Sequence, residues 1–333
     1  TTTSLYNEGD ATVSITDIVV SDIDAGETIT ATLTLANTAT GSLSANDGAT
    51  YTAGTGVWTI TDTVANVNTA LANLVFNPNT NNETDTSIGV VIDDGNEDGG
   101  GALTGTITLD VTPVNDPPTL VNPIPDQSAT EDVAFSVQFA AGTFNDPDTG
   151  DTLSYTAQQA GGTPLPGWLS FDPATRTFSG TPLNGDVGAL NIAVTATDGA
   201  GATVSDSFRL TVSNVNDAPV LGNNQMTLDS GDTVVLTPAM LSASDIDHAP
   251  AGLQFTVSAV SGGQFELAGA SGVGIFSFTQ AQVAAGDVVF VDDGDNIAPS
   301  YSVTVGDTVD SVGPRAATIV FGPPTVVATT TTA

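Results

Sequence analysis

The chain has 333 residues, which is two or three domains at roughly 100 residues per small β domain. Its 38 acidic residues face only three arginines (Arg176, Arg209 and Arg315) and no lysine, a formal charge of -35. That excludes nucleic acid and anionic membrane surfaces as partners, and any lysine-based isopeptide, Schiff-base or phosphate-loop chemistry; the absence of cysteine excludes disulfides, thiolate metal sites and a cysteine nucleophile.

Thr1–Asp10 has neither the basic start nor the apolar stretch of a signal peptide, and no segment reaches the ~18 apolar residues of a membrane span. The chain is therefore expected to be a processed product or a piece of something longer. Period-two alternation predicts strands at Thr28–Ala36, Gly105–Val111, Asn191–Asp198 and Phe208–Ser213, rich in the threonine and valine that a half-buried pleated surface favours. Between the first two, Val64, Val67, Leu71 and Leu74 stand at helical spacing and predict one short helix or turn. Gly95–Gly105 (GNEDGGGALTG) reads as a hairpin tip, since a phosphate cradle would need a lysine and a following helix. Turn residues punctuate the strands at intervals of about 8–12 residues, the rhythm of a β-sandwich.

A repeat sets the domain organisation. Val111–Leu120 (VTPVNDPPTL) returns 101 residues later as Val212–Leu221 (VSNVNDAPVL), each copy following a strand and preceding another. The predicted divisions are 1–116, 117–217 and 218–322, followed by a Thr-rich tail, 323–333, that reads as a spacer. A second repeat lies inside the divisions. Asp22 and Asp24, Asp146 and Asp148, and Asp245 and Asp247 each form Asp-x-Asp. Glu8 precedes the first pair by 14 residues and Glu131 the second by 15. Asp93, Asp198 and Asp307 each close a late strand, and Asn115-Asp116 and Asn216-Asp217 end the first two divisions.

Asp-x-Asp in extended chain puts two carboxylates on one side of the strand, where they repel unless a cation sits between them. A folded chain this acidic, with 40% hydrophobic residues to build cores, needs an outside source of positive charge. Ca²⁺ takes six to eight oxygen ligands from carboxylates, amides and carbonyls; Mg²⁺ keeps more of its waters, and Zn²⁺ prefers Cys or His, of which the chain has only His248. Calcium fits the inventory. Turn preference would account for any one of these residues, but not for their common order.

These motifs resemble the cadherin-type repeats of large secreted bacterial adhesins. Residues 117–217, with PIPDQSATEDVAFSVQF, NDPDTGDTLSY, LPGWLSFDPATRTFSGTP and VTATDGAGATVSDSFRLTV, resemble the dystroglycan-type cadherin-like domain. Residues 218–322, with LSASDIDHAPAGLQFTV, GQFELAG, FTQAQVAAGDVVFVDDG and YSVTVGD, resemble the chondroitin-sulfate-proteoglycan type, and 1–116 is similar to a generic cadherin-like repeat. The resemblance implies an all-β chain: three tandem immunoglobulin/cadherin-like antiparallel sandwiches in an elongated arrangement, with Ca²⁺ between domains. It implies a first junction of Glu8, Asn115, Asp116, Asp146, Asp148 and Asp198, and a second of Glu131, Asn216, Asp217, Asp245, Asp247 and Asp307. The family's Asp-Arg-Glu element is not present as such; Asn79 and Glu83 stand in at the first junction and Asp186 at the second.

Other motifs carry less. Asp148-Thr149-Gly150 spells the aspartic-protease triplet, but that chemistry needs two copies and there is one. Trp168 reads as the core plug of a sheet rather than a sugar-stacking platform, Trp58 as a half-buried strand residue, and His248 as an exposed loop histidine outside the metal sites. The acids recur at junctions rather than in one cleft, so no enzyme is expected. The expected function is a calcium-stiffened, extracellular cell-surface segment of an adhesin, surface layer or fibre. Its partners would be neighbouring repeats or identical subunits. A carbohydrate-binding array and a head-to-tail filament subunit remain as alternatives. At the front, Asp22, Asp24 and Asp93 make a half-site for another module. At the back, Ser230–Thr233 stands where a glutamate would be, and Gly322–Pro324 where Asn-Asp-Pro would be.

Overall fold

A computed structural model of the chain describes residues 2–16, 18–22, 26–95 and 101–322. They are almost entirely strand and turn, arranged as cadherin/Ig-like domains in an elongated tandem. Three hydrophobic cores follow in chain order. The first is built from residues between Tyr6 and Leu109, the second between Ile124 and Val212, the third between Met226 and Val305.

In the first core a six-stranded sheet (Thr2–Asn7, Leu103–Thr112, Thr86–Asp93, Thr28–Leu35, Val57–Thr63, Thr50–Thr52) faces a three-stranded one (Val13–Ser14, Val75–Pro78, Gly41–Leu43). Thr28–Leu35 shows why the sequence folds this way: Ile29, Ala31, Leu33 and Leu35 point inward and the threonines outward. The predicted helix forms over Val64–Ala72, with Thr63 accepting from the Asn66 N–H at its N-cap, and buries Val67, Ala70 and Leu71. A second helix, Gln280–Ala285, was not anticipated. It is closed by a Thr279/Gln282 capping box and by Gly286 in the left-handed region. The tryptophans differ from expectation: Trp58 is wholly buried, whereas Trp168 is half-buried at the edge of the second core, edge-on to Phe135.

The domains are not purely antiparallel. In each, an early strand lies parallel to the last: Thr2–Asn7 on Leu103–Thr112, Gln127–Thr130 (which follows the short strand Thr119–Leu120) on Thr203–Ser213, and Val220–Asp229 on Thr318–Gly322. Parallel neighbours run out at the same end of a sheet. The turn after that early strand and the linker after the last strand therefore emerge side by side, although about a hundred residues separate them in sequence.

Candidate metal centres at the two junctions

The parallel pairs deliver the glutamates. The Glu8 N–H donates to the Thr112 carbonyl (3.0 Å) and the Glu131 N–H to that of Ser213 (3.1 Å), continuing each pairing by one bond. The chain then reverses through Gly9 (φ 81°) or Asp132 (φ 58°), both in the left-handed region. The reversal leaves each glutamate side chain under the outgoing linker. Glu8 Oε2 accepts from the Val114 N–H at 3.0 Å, and Glu131 Oε1 from the Val215 N–H. Both are buried, Glu131 completely.

The linkers then meet the next domain through matched contacts. The Asp116 N–H donates to Asp148 Oδ2 (2.9 Å) and the Asp217 N–H to Asp247 Oδ2 (2.7 Å). The Asn115 amide donates to Asp198 Oδ2 and the Asn216 amide to Asp307 Oδ2, each at 3.0 Å. Within each Asp-x-Asp the first carboxylate accepts the second residue's N–H: Asp148 to Asp146 Oδ1 (3.0 Å) and Asp247 to Asp245 Oδ1 (2.8 Å). The late-strand aspartates are anchored by their other oxygen, Asp198 Oδ1 by the Gly201 and Ala202 N–H groups and Asp307 Oδ1 by those of Val309 and Asp310.

Carboxylates gather as a result. Oxygens of Glu8, Asp116 and Asp148 lie within 4.8 Å of one another, as do those of Asp146, Asp148 and Asp151; at the second junction Asp245, His248 and Asp307 form such a group. The charges are felt. Burial, reinforced by Asp146, Glu83 and Asp116 and opposed by the Asp116 N–H, pushes Asp148 above the usual carboxylate range. Burial, with Asp247, Asp132 and Asp245 nearby, does the same to Asp217. Hydrogen bonds win elsewhere. The Asn115 amide holds Asp198 down, the Asp217 N–H with the Asn214 and Asn184 amides holds Asp247 down, and the Asp310 N–H with the Asn216 amide takes Asp307 to about 2.

Six carboxylate oxygens among the described residues are buried yet accept no hydrogen bond. Five are at the junctions: Glu8 Oε1, Asp146 Oδ2 and Asp148 Oδ1 at the first, Glu131 Oε2 and Asp245 Oδ2 at the second. Buried anionic oxygens without donors are costly, and a hard cation is the partner that suits them. The donor set fits calcium on this ground. The sixth, Asp292 Oδ2, is at the third domain's far pole, where Asp292 Oδ1 accepts from Gly231 and Gly294 beside the turn in which Ser230 replaces a glutamate.

Of the two residues expected to stand in at the first junction, Glu83 crosses it, its Oε2 accepting from the Thr149 N–H (2.8 Å), whereas the exposed Asn79 amide donates to the Ala39 carbonyl of its own domain. At the second junction Asn184, not Asp186, crosses over: its amide donates to Asp247 Oδ1 (2.7 Å), while Asp186 caps its own 3₁₀ turn through the Leu183 N–H. Asp151, Asp310 and His248 complete the rims. Asp310 Oδ2 accepts from the Asn216 amide at 3.1 Å. His248 is half-buried against Asp245 rather than free in a loop. Of the front half-site, Asp24 lies outside the described residues. Asp22 lines a cleft of about 530 Å³ with Asp94, while Asp93 accepts from the Gly95 N–H.

Residues 117–213 match the family model described as "Putative Ig domain" and residues 219–320 the one described as "Cadherin-like". Among curated proteins, chondroitin sulfate proteoglycan 4 of Mus musculus is 33% identical over 116 residues, which is 34% of this chain and 5% of that protein. Extracellular matrix organizing protein FRAS1 of Homo sapiens is 31% identical over 120 residues, 34% of this chain and 3% of that one. The chain thus spans about one-twentieth of such relatives or less. Among solved structures, mouse cadherin-23 EC22–24 superposes over 98% of this chain and 96% of its own at 17% identity (TM-score 0.50), and the protocadherin gamma B2 extracellular domains 1–5 over 97% and 58% at 15% identity (TM-score 0.50). These likenesses are of fold.

Proposed function

We propose that this chain is a calcium-stiffened structural segment of an extracellular adhesion or matrix assembly, divided at 1–116, 117–217 and 218–322. The observation that carries the reading is the buried, donorless carboxylate oxygens, which recur at corresponding places in two junctions separated by a whole domain. Glu8, Asn115, Asp116, Asp146, Asp148 and Asp198 would hold the ion or ions at the first junction. Glu131, Asn216, Asp217, Asp245, Asp247 and Asp307 would hold those at the second. The metal supplies the positive charge that three arginines cannot, and none of those arginines is at either junction: among the described residues the ion pairs within 4.0 Å are those of His248. Because ligands come from both sides of a linker, binding fixes the angle between neighbours; without the ion the carboxylates repel and the domains splay. Asp22, Asp24 and Asp93 would receive a preceding module in the same way. Extracellular calcium sites have dissociation constants of roughly 10⁻⁴–10⁻³ M, so millimolar calcium fills them. The test is thermal unfolding and small-angle scattering in calcium and in chelator. A higher melting temperature and a longer, stiffer particle with calcium are expected; identical curves would refute the reading.

A further inference from the structure

The two junctions differ in one donor that oxygen chemistry does not explain. After Asp-x-Asp the first continues with Thr149 and the second with His248, the only histidine in the chain. His248 Nδ1 lies 3.3 Å from Asp245 Oδ1 and 4.0 Å from Asp307 Oδ2. Both carboxylates belong to fully buried side chains, and Asp245 Oδ2 accepts no hydrogen bond. The imidazole is itself 30% exposed, so the group opens to solvent on the histidine side.

We propose that the second junction takes a borderline divalent transition ion of the Zn²⁺ class through His248, Asp245 and Asp307, a site the first junction lacks. One nitrogen and two carboxylate oxygens, with a water in the fourth position, is a donor set such ions accept and calcium does not seek. The spacing agrees. Zinc ligands at about 2.0–2.1 Å in a tetrahedron stand about 3.3–3.4 Å apart, so the Nδ1–Asp245 separation of 3.3 Å is already a ligand–ligand edge and the 4.0 Å Asp307 separation needs to close by about 0.6–0.7 Å. Asp245 Oδ1 also accepts the Asp247 and His248 N–H groups, each at 2.8 Å, and Asp307 Oδ2 accepts the Asn216 amide at 3.0 Å, so those donors hold the two carboxylates in place while the ion would replace the imidazole's hydrogen bond to Asp245. Thr149 at the corresponding place offers no nitrogen, and the acids around it, Glu83 and Asp151, keep that junction an oxygen cage. This inference rests on reading the junctions as metal sites; at the second, the transition ion would compete with calcium for Asp245 and Asp307.

A single histidine makes the test direct. Metal-stripped full-length chain is titrated with Zn²⁺ while the imidazole ¹H–¹⁵N signals are followed, and with Co²⁺ while its visible absorption is followed. The same titrations are run on His248→Asn and Asp62→Ala, with the calcium melting shift of the unaltered chain measured in parallel. Expected are shifted imidazole signals at one equivalent of Zn²⁺ and a Co²⁺ absorption band that persists in Asp62→Ala. In His248→Asn the band should disappear and zinc affinity fall at least ten-fold. Imidazole signals unmoved by Zn²⁺, or equal zinc affinity with and without the histidine, overturn the inference. A normal calcium shift alongside that failure leaves the calcium reading standing; a missing calcium shift with zinc bound at His248 does the reverse.

Discussion

The two junctions share a backbone and differ at the rim. In both, an early strand paired parallel to the last brings a buried glutamate beneath the linker, and linker N–H and Asn amide groups bind the next domain's aspartates. Asp148 and Asp247 therefore occupy corresponding positions, yet their carboxyl groups shift in opposite directions. Beside Asp148 the preceding domain contributes a carboxylate, Glu83; beside Asp247 it contributes an amide donor, Asn184. The main chain fixes where the cage stands. Burial leads at Asp148 and the Asp217 N–H leads at Asp247, and the rim side chains Glu83 and Asn184 add to those leading causes in opposite directions.

The sharpest break of the comparison is the pair Asp148→Asn and Asp247→Asn. Each should weaken calcium binding at its own junction by at least about ten-fold, since even a supporting contact of a metal site costs that much. In chelator they should diverge. Asp148→Asn keeps an oxygen for the Asp116 N–H, puts its amide where Asp148 Oδ1 has no donor and firms the first junction. At Asp247 both oxygens accept, from the Asp217 N–H and the Asn184 amide, so Asp247→Asn turns one acceptor into a donor and loosens the second. Two-transition calorimetry reads both, and equal effects in chelator would end the distinction.

Exchanging the rims is the next test. Asn184→Asp should make the second junction as calcium-dependent as the first, and Glu83→Gln should make the first less so. Changes of a few-fold in the calcium midpoint are expected, fading as salt screens the added charge on the ~8–10 Å scale. Midpoints that do not move would show the rim to be irrelevant.

Acid titration in chelator gives a smaller effect with a defined sign. Asp148 has a folded pKa above its unfolded 3.8, so the native state holds the extra proton between those values, and stability rises as pH falls through that window. Asp307 runs the other way: its contribution is complete above 3.8 and is lost as pH falls from 3.8 towards 2. The first junction should therefore firm on mild acidification before the second fails at lower pH. The order of the two transitions against pH checks this. Least of all should Asp62→Ala matter, because its exposed carboxylate only caps the Val64–Ala72 helix through Thr63 and Asn66; an altered calcium response there would mean that surface acids in general carry the effect.

Strand alternation, the repeated VNDPP and VNDAP segments and the ordered acids were legible because each is a pattern within a few neighbouring residues. Trp58 reads as half-buried because it alternates with Val57 and Thr59, but it is a wholly buried member of the first core, which gathers residues far apart in the chain. The helix at Gln280–Ala285 carried a Thr-x-x-Gln and Gly signal, but six residues are too few to show a helical period. Glu83 is expected at its junction through the family resemblance alone and Asn184 not at all, because they reach Thr149 and Asp247 across 66 and 63 residues and no local spacing encodes contacts that long.

By itself the sequence determined the chemistry: which residues carry oxygen ligands, that almost no side-chain cation balances them, and in what order they recur. Only the tertiary structure decided which of them meet. Pairing an early strand parallel to the last is a long-range choice made by core packing, and that choice carries Glu8 to Val114 and Glu131 to Val215 across 106 and 84 residues of chain.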